Sequence, residues 1–490
     1  MISELWFQPP LAFARFGNPN DPLEAFHWGP NDELPSGTGK TTILPAKTFI
    51  HQNDGSVLSK IPDRIVFASD VGVKAVCPFF ELHGAWQDEA GNKRTGRIDK
   101  KVLTDSKLST KDLVWNIKVA NLKPFFMTQD PTTRIEAELE IQGDDFVPKQ
   151  LQGRSPQGMQ NVLVPEGKFI PLGTVLVINP SDEEPACRLR FFPPAGEIYG
   201  PTNFRSRVDN TFQLPENVLF LNQNSSWCRF KPGDVDTRGF PGSQYAQDAN
   251  SVSLGLVDDA SDGIISCRVR GTDLVASARI VVAPPHLAPD RRHFVSIADG
   301  LKDRMNRAEV YDPSYFSKEK FTHRLTVTNQ DEFGKEQLSN LEMAQVELHD
   351  LLERVLETMW LSNLDAYNHR IEILDNPLNA IFSRQPYSAD QHKVFDVTPT
   401  PADPLPLVDN ARRRHRRLSA FQILQTYLRQ RPGDLGTLVR TPLDPSLLFD
   451  KRMPALMHGS YGEPLYLTRR QFELVAALVA MLRANIEEES

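Results

Sequence analysis

The alternation of apolar and polar positions predicts a strand-rich first part of the chain. Two runs rich in β-branched residues, Ile264 to Val269 and Ala278 to Ala283, flank a polar connection, RGTD, at 270–273. This spacing and chemistry are typical of a β-hairpin. Residues 113–119 alternate as a half-buried strand does. Further strands are predicted at 64–67, 73–82, 171–178 and 187–192.

Beyond about residue 300 the pattern changes to the three-and-four spacing of amphipathic helices. Residues 338–374 carry apolar side chains at this spacing, and another helix is predicted to begin at Thr468, its N-cap. We therefore predict an α+β fold with segregated elements. In it, a β-rich N-terminal part with sandwich-like antiparallel sheets precedes a mainly helical C-terminal part.

The length of 490 residues exceeds what one ordinary hydrophobic core accommodates, so several regions are expected. The composition shift and a proline-rich stretch give their boundaries. The predicted regions are a β-rich domain at 1–300, a helical segment at 301–394, a linker at 395–410 and a helical segment at 411–490.

The charge balance narrows the possible partners. The chain has 55 Lys and Arg against 63 Asp and Glu, a formal net charge of −8, which argues against nucleic acid or an anionic membrane. The basic run Arg412 to Arg417 is then a solvated helix start or a contact to the acidic N-terminal part, with an acidic or phosphate-bearing partner as the alternative. The opening residues lack a signal-peptide pattern, and no apolar run is long enough to span a bilayer. We therefore expect a cytoplasmic protein.

The cysteine positions and one glycine-rich stretch exclude two kinds of site. The chain has four cysteines, Cys77, Cys187, Cys228 and Cys267. They show neither paired metal-ligand spacing nor the density of a disulfide scaffold, so we expect them to be reduced and mostly buried. Residues 36–42, SGTGKTT, lack the first glycine of a phosphate loop and the apolar strand that should precede it. Nucleotide binding is therefore not predicted.

The candidate catalytic residues flank the predicted hairpin. Asp258, Asp259 and Asp262 crowd a tight turn just before it. Either these side chains cap the turn, as Asx turns do, or they form a carboxylate cluster for an ion or a substrate amine. His286 and His293 lie in the proline-stiffened exit, either as ion-paired surface histidines or as acid, base or metal-ligating groups.

Several blocks of the sequence carry a family resemblance. Residues 258–269, DDASDGIISCRV, and 278–290, ARIVVAPPHLAPD, are close to the patterns DDxSDGPVxAxV and AWVVVAPPxxAP. Residues 115–123, WNIKVANLK, are close to WTVHLANKK. The opening block, PPLAFARFGN at 9–18 with FHWGP at 26–30, and the closing block at roughly 450–485 have counterparts as well. The chain thus resembles the LodA-like family, amino-acid oxidases that carry a cysteine tryptophylquinone.

The resemblance implies a cofactor that this chain lacks the residues to build. In the family, a tryptophan in the C-terminal half is oxidised to a quinone and cross-linked to a cysteine. A substrate amine attacks the quinone, and an aspartate takes the α-proton. Here no cysteine follows Cys267, and Trp360 is the only tryptophan beyond residue 300. Trp227 and Cys228 are adjacent but lie in the wrong half. We therefore predict no cofactor and no bound metal.

Three functions remain open. The favoured one is a LodA-like scaffold without the quinone, acting as a binding or assembly protein for a small amino acid or amine, a protein partner or a second copy of itself. The second is a different enzyme on the inherited cleft, using the acidic turn or the two histidines. The third is an amino-acid oxidase with an unconventional tryptophan-derived cofactor, for which Trp360 is the candidate residue.

Overall fold

A computed structural model describes most of the first 285 residues and short pieces of the remainder. The described residues are 2–28, 43–70, 72–88, 90–208, 213–231, 247–285, 293–296, 299–301, 303, 351, 354, 457–458, 463–464, 466–472 and 475–476. The chain divides into two compact units. The first comprises residues 1–27 and 44–287, and the second comprises residues 28–43 and 288–490.

Strands dominate the described residues. They are β1 (Ile2–Gln8), β2 (Leu11–Arg15), β3 (Asn18–Pro22), β4 (Phe26–Trp28), β5 (Ile43–Pro45), β6 (Thr48–His51), β7 (Val57–Lys60), β8 (Ala68–Ser69), β9 (Gly72–Ala75), β10 (Phe79–Gln87), β11 (Lys93–Arg97), β12 (Leu113–Asn121), β13 (Ile135–Gln142), β14 (Lys149–Gly153), β15 (Ile170–Ile178), β16 (Arg188–Phe192), β17 (Ile198–Pro201), β18 (Leu219–Leu221), β19 (Val257–Asp258), β20 (Asp262–Val269), β21 (Val275–Ala283), β22 (Met457–His458) and β23 (Glu463–Pro464).

The helices of the first unit are short. They are α1 (Lys100–Asp105), α2 (Lys123–Thr128) and α3 (Ser226–Arg229), with 3₁₀ turns at Thr110–Asp112, Pro131–Thr133, Phe204–Ser206 and Glu216–Val218. The side chain of Asp99 caps α1 by accepting from the backbone N–H of Val102. The C-terminal end of α2 is set by Gln129, which adopts a left-handed backbone conformation.

Two sheets of the first unit share one core. One sheet has the order β1-β10-β16-β15-β14 with β11 on the edge of β10, and the other has the order β13-β12-β20-β21-β2. Pairing is antiparallel except for β2, which runs parallel to β21. Alternate side chains of both sheets meet in the core, including Trp115, Ile265 and Cys267 from one sheet and Leu189 and Phe191 from the other. The β-rich character predicted for this part is confirmed for the described residues.

The predicted hairpin is observed as β20 and β21, with Ile265 opposite Ala278 and Arg268 opposite Val275. The strands predicted at 113–119, 171–178 and 187–192 also correspond to β12, β15 and β16. Two other predictions need correction. No strand occupies 64–67, and the run predicted at 73–82 is divided into β9 and β10. Pro78 lies in the gap, where its missing N–H cannot join a ladder.

The prediction of an α+β fold with a mainly helical C-terminal part is wrong for the residues that the structure describes. These residues are 44% strand and 15% helix, and their helices are short. A three-and-four apolar spacing shows only that a helix would be amphipathic if it formed, and helical stability comes mostly from packing of the apolar face. Three predicted segments lie outside the described residues, apart from the single positions 351 and 354. They are the helix at 338–374, the linker at 395–410 and the basic run at 412–417.

The second unit is described in a few short pieces. Residues 469–472 are helical, and Thr468 caps them as predicted. The Thr468 hydroxyl accepts from the Gln471 N–H at 3.2 Å, while the Gln471 side chain accepts from the Thr468 N–H at 2.9 Å. The Gln471 amide also donates to the carbonyl of buried Phe294 at 2.9 Å. No helix in the described part of the chain has the length and apolar character needed to cross a membrane.

Candidate functional site

A cleft of about 290 Å³ opens in the first unit where β12 passes into α2. Its lining consists of Asn121, Lys123, Pro124, Trp227, Leu256, Val257 and Asp258. The strand pairing of β12 with β20 brings the end of β12 beside the acidic turn, since Ala120 lies opposite Asp262. Residues that are more than 130 positions apart in sequence therefore form one wall.

Asp258 is the centre of the polar wall. One carboxylate oxygen, Oδ2, forms an ion pair with Nζ of Lys123. The other, Oδ1, accepts from the Asn121 side-chain amide at 3.0 Å and from the backbone N–H of Ala260 at 3.3 Å. The side chains of Asp258 and Lys123 are 37% and 43% exposed. A carboxylate and an ammonium thus lie side by side at the cleft, in contact with solvent.

Asn121 orients both charges. It is buried, and its side-chain oxygen accepts from the Lys123 N–H at 3.2 Å while its amide donates to the Asp258 carbonyl at 2.8 Å. Asn121 thus satisfies backbone groups of both segments at this turn. Trp115 on the same strand is a core residue, and its ring stacks on Phe7 with centroids 5.6 Å apart.

The apolar wall is held by α3. Trp227 is 1% exposed, and its indole N–H donates to the Leu256 carbonyl at 3.1 Å. The neighbouring Ser226 hydroxyl donates to Asp130 at 2.6 Å, which ties α3 to the turn after α2. The indole therefore has a defined position, because one end of its helix and its own N–H are both anchored.

Asp259 has a different environment from its neighbour. Its side chain is buried, and Oδ2 accepts from the backbone N–H groups of Gly196 at 3.1 Å and Glu197 at 2.9 Å. The other oxygen, Oδ1, is buried and has no hydrogen-bond partner among the described residues. Burial raises the pKa of Asp259 to about 7, although the two backbone donors lower it. Asp259 is not among the cleft-lining residues.

Asp262 is exposed at the start of β20, opposite Val281. The three aspartates thus occupy a cleft wall, a buried pocket and the surface. Within the described residues, no three His, Cys, Asp or Glu side chains form a group that could hold a metal ion. The hydrogen bond from the Ala260 N–H to Asp258, two positions earlier, is of the Asx-turn type that one of the two interpretations expected. Asp259 instead accepts from the distant backbone of Gly196 and Glu197.

The other candidate residues lie elsewhere. His293 belongs to the second unit, where it is exposed, stacks on Phe294 with centroids 4.4 Å apart and accepts from the Val295 N–H at 3.1 Å. His286 and Trp360 lie outside the described residues. All four cysteines are buried and free, as expected. Burial raises the pKa values of three of these thiols, those of residues 77, 187 and 228, to about 12.

Sequence reasoning missed Lys123 and gave Trp227 no role in a site. Lys123 ends the block WNIKVANLK, so the resemblance marked its neighbourhood without indicating which side chain would meet the acidic turn. The sequence carries no signal for Trp227, because its place at the cleft depends on the packing of α3.

The comparisons with known proteins assign no family. No protein-family model matches the chain, and a search of curated proteins gives no significant match.

Proposed function

We propose that the protein is a cytoplasmic LodA-like scaffold without a tryptophylquinone, and that it binds a small amino acid or amine in the cleft beside Asp258. The observation that carries this proposal is the pair of opposite charges, Lys123 and Asp258, side by side on the cleft wall. An amino acid carries the complementary pair of charges on adjacent groups.

The ion pair between Lys123 and Asp258 can be replaced by contacts from each residue to a bound amino acid. The Asp258 carboxylate accepts from the ligand's ammonium group, and the Lys123 ammonium donates to the ligand's carboxylate. A half-exposed ion pair contributes roughly 0–1 kcal/mol to stability, so replacing it by two ligand contacts costs little. Asn121 stays bonded to Asp258 Oδ1 and keeps the carboxylate in place during the exchange.

The cleft's size and apolar side limit the ligand. A volume of about 290 Å³ is at the lower end of the range of roughly 300–1,000 Å³ for ligand pockets, which favours a small molecule. Pro124, Trp227, Leu256 and Val257 offer apolar contacts to a short side chain. The cleft lining described here contains no hydroxyl, thiol or imidazole group, so its chemistry favours binding.

A second candidate is an enzyme that acts on amino acids or amines, with Asp259 as acid or base. Its pKa of about 7 lies where a general base works best, and one of its oxygens accepts no hydrogen bond from the part of the chain that the structure describes. Against this role, the side chain is 1% exposed and already accepts two backbone hydrogen bonds. Release of ammonia from an amino acid, lost in Asp259→Asn, would favour this second candidate.

The test of the binding proposal is a thermal-shift and calorimetric screen of amino acids and simple amines. A ligand that binds only the folded state at 100 times its Kd stabilises the protein by about 2.7 kcal/mol. Asp258→Asn and Lys123→Met should weaken binding by roughly tenfold to a hundredfold, because each removes one charged hydrogen-bond partner.

The matched control is Glu138→Gln, which removes the ion pair between Glu138 and Lys118. Lys118 lies on β12, the strand that also carries Asn121. Both side chains of that pair are more than half exposed, and neither lines the cleft. Affinity should be unchanged in this variant. The proposal is wrong if no compound in the screen stabilises the protein, or if Asp258→Asn binds as tightly as the unmodified chain.

A further inference from the structure

The hairpin of β6 and β7 has one buried face. Phe49 packs edge-on against Phe79 of β10 with ring centroids 5.1 Å apart, and Val57 is fully buried. Nε2 of His51 lies 2.6 Å from Nη1 of Arg190 and accepts from it. Burial, together with the Arg190 charge, lowers the pKa of His51 to about 4, so the ring is neutral and able to accept at pH 7. The hairpin is thus anchored on the face of the sheet that contains β10, β15 and β16.

The opposite face of the hairpin exposes apolar side chains. Ile50 and Leu58 are cross-strand partners and are 43% and 44% exposed. Ile61, just beyond β7, is 70% exposed, and Leu44 is 38% exposed. Four of the eleven exposed large apolar residues in the described part therefore fall between residues 44 and 61. Such a concentration marks an interaction surface more often than isolated exposed residues do.

The edges of the hairpin are also unpaired. β6 and β7 form a sheet of two strands, with no third strand among the described residues. An edge strand offers backbone donors and acceptors to another strand, and an exposed apolar edge is a template for association.

The rim of this surface carries both signs of charge. Lys60, Asp63 and Arg64 are exposed, and none of them forms an ion pair with a described residue. In a two-fold symmetric interface each patch meets its own copy, so a rim that carries neighbouring opposite charges is complementary to itself.

We propose that the hairpin patch, formed by Ile50 and Leu58 on the exposed face and by the adjoining exposed residues 60–64, is the interface of a homodimer. The apolar side chains of two copies cover one another, and the rim charges form ion pairs across the axis. This inference goes beyond ligand binding in the cleft, and the two can fail separately, since dimerisation is measured without a ligand.

Cysteine trapping tests the interface directly. All four native cysteines are buried, so Leu58→Cys places an accessible thiol on the patch. With oxidised glutathione as the oxidant, two such thiols each lose a proton and together two electrons, forming one disulfide and two molecules of reduced glutathione. The expected product is a disulfide-linked dimer. The control, Val275→Cys, is on the other sheet and 53% exposed in the native chain, and should form no disulfide-linked dimer.

Light scattering and sedimentation give the second test. The unmodified chain should show twice the monomer mass of 55.3 kDa. Ile50→Asp should weaken dimerisation at least roughly tenfold, because it buries a charge at the centre of the interface. Ile264→Asp, at a site 40% exposed outside the hairpin, should leave the dimer intact. A monomer at about 100 μM, or a dimer insensitive to Ile50→Asp, overturns the proposal.

Discussion

At the scale of residues, three aspartates within five positions have three different environments. Asp258 holds an ammonium group and an amide at the cleft, Asp259 is buried against two backbone N–H groups, and Asp262 is exposed. The same side chain is a ligand-binding group, a titratable core group or a solvated charge according to what surrounds it.

The burial of Asp259 predicts a pH-dependent stability. Its pKa in the folded state, about 7, lies above the usual value of 3.8. Its stabilising contribution is therefore complete below about pH 3.8 and is lost as the pH rises towards 7. In Asp259→Asn this loss should disappear. Urea unfolding gives the free energy of unfolding at each pH. Relative to the unmodified chain, the value for Asp259→Asn should rise by an amount on the order of 1–3 kcal/mol between pH 5 and pH 8.

Asp262→Asn is the matched control, because that carboxyl group lies three positions away and is exposed. Its free energy of unfolding should follow that of the unmodified chain at both pH values. An equal stability difference between Asp259→Asn and the unmodified chain at pH 5 and at pH 8 would contradict the assigned burial.

At the scale of elements, the short helix α3 positions the apolar wall of the cleft. The position of α3 depends on the hydrogen bond from Ser226 to Asp130 and on the close packing of Gly255 against Cys228. A Cβ at Gly255 would lie 2.6 Å from Sγ of Cys228, and the residue has a φ of +77°. Only glycine combines this conformation with so near a neighbour.

Gly255→Ala should therefore destabilise the protein and loosen the cleft. Gly271→Ala is the matched control, since Gly271 has a φ of +76° with no atom within 4 Å of its would-be Cβ. Both variants pay a similar left-handed backbone cost, so their difference isolates the overlap with Cys228. Chemical unfolding should find Gly255→Ala less stable than Gly271→Ala by about 1–3 kcal/mol, with weaker ligand binding. Equal stabilities would contradict the packing of α3 against this turn.

At the scale of the whole molecule, the proposal concerns a chain without a built-in quinone. The intact mass of the purified protein should equal the mass of its sequence, 55.3 kDa, at a precision that resolves one oxygen or two hydrogens. A gain of oxygen with loss of hydrogen, mapped by peptide analysis to Trp360 or Trp227, would contradict it. Such a mass would support the oxidase hypothesis instead, with peroxide release from amino acids as the next measurement.

Much of the β-rich architecture is predictable from local patterns. The strands β12, β20 and β21 follow from period-two alternation, and β15 and β16 follow from short apolar runs. The burial of the four cysteines follows from the absence of metal-ligand spacing and of a disulfide scaffold. The sequence analysis predicts one strand at 73–82, although Pro78 lacks the N–H that a continuous ladder needs and so indicates the division into two strands. The helical C-terminal prediction failed for the described residues because a periodic apolar stripe does not show what it packs against.

The sequence by itself determined which faces of the strands are apolar, where the hairpin turns and that Thr468 caps a helix, because each depends on neighbours within a few positions. Only the tertiary structure decided that Asn121 and Lys123 meet Asp258, about 137 positions away, and that Asp259 turns into the core instead. Such contacts depend on strand order and register, which place distant segments side by side.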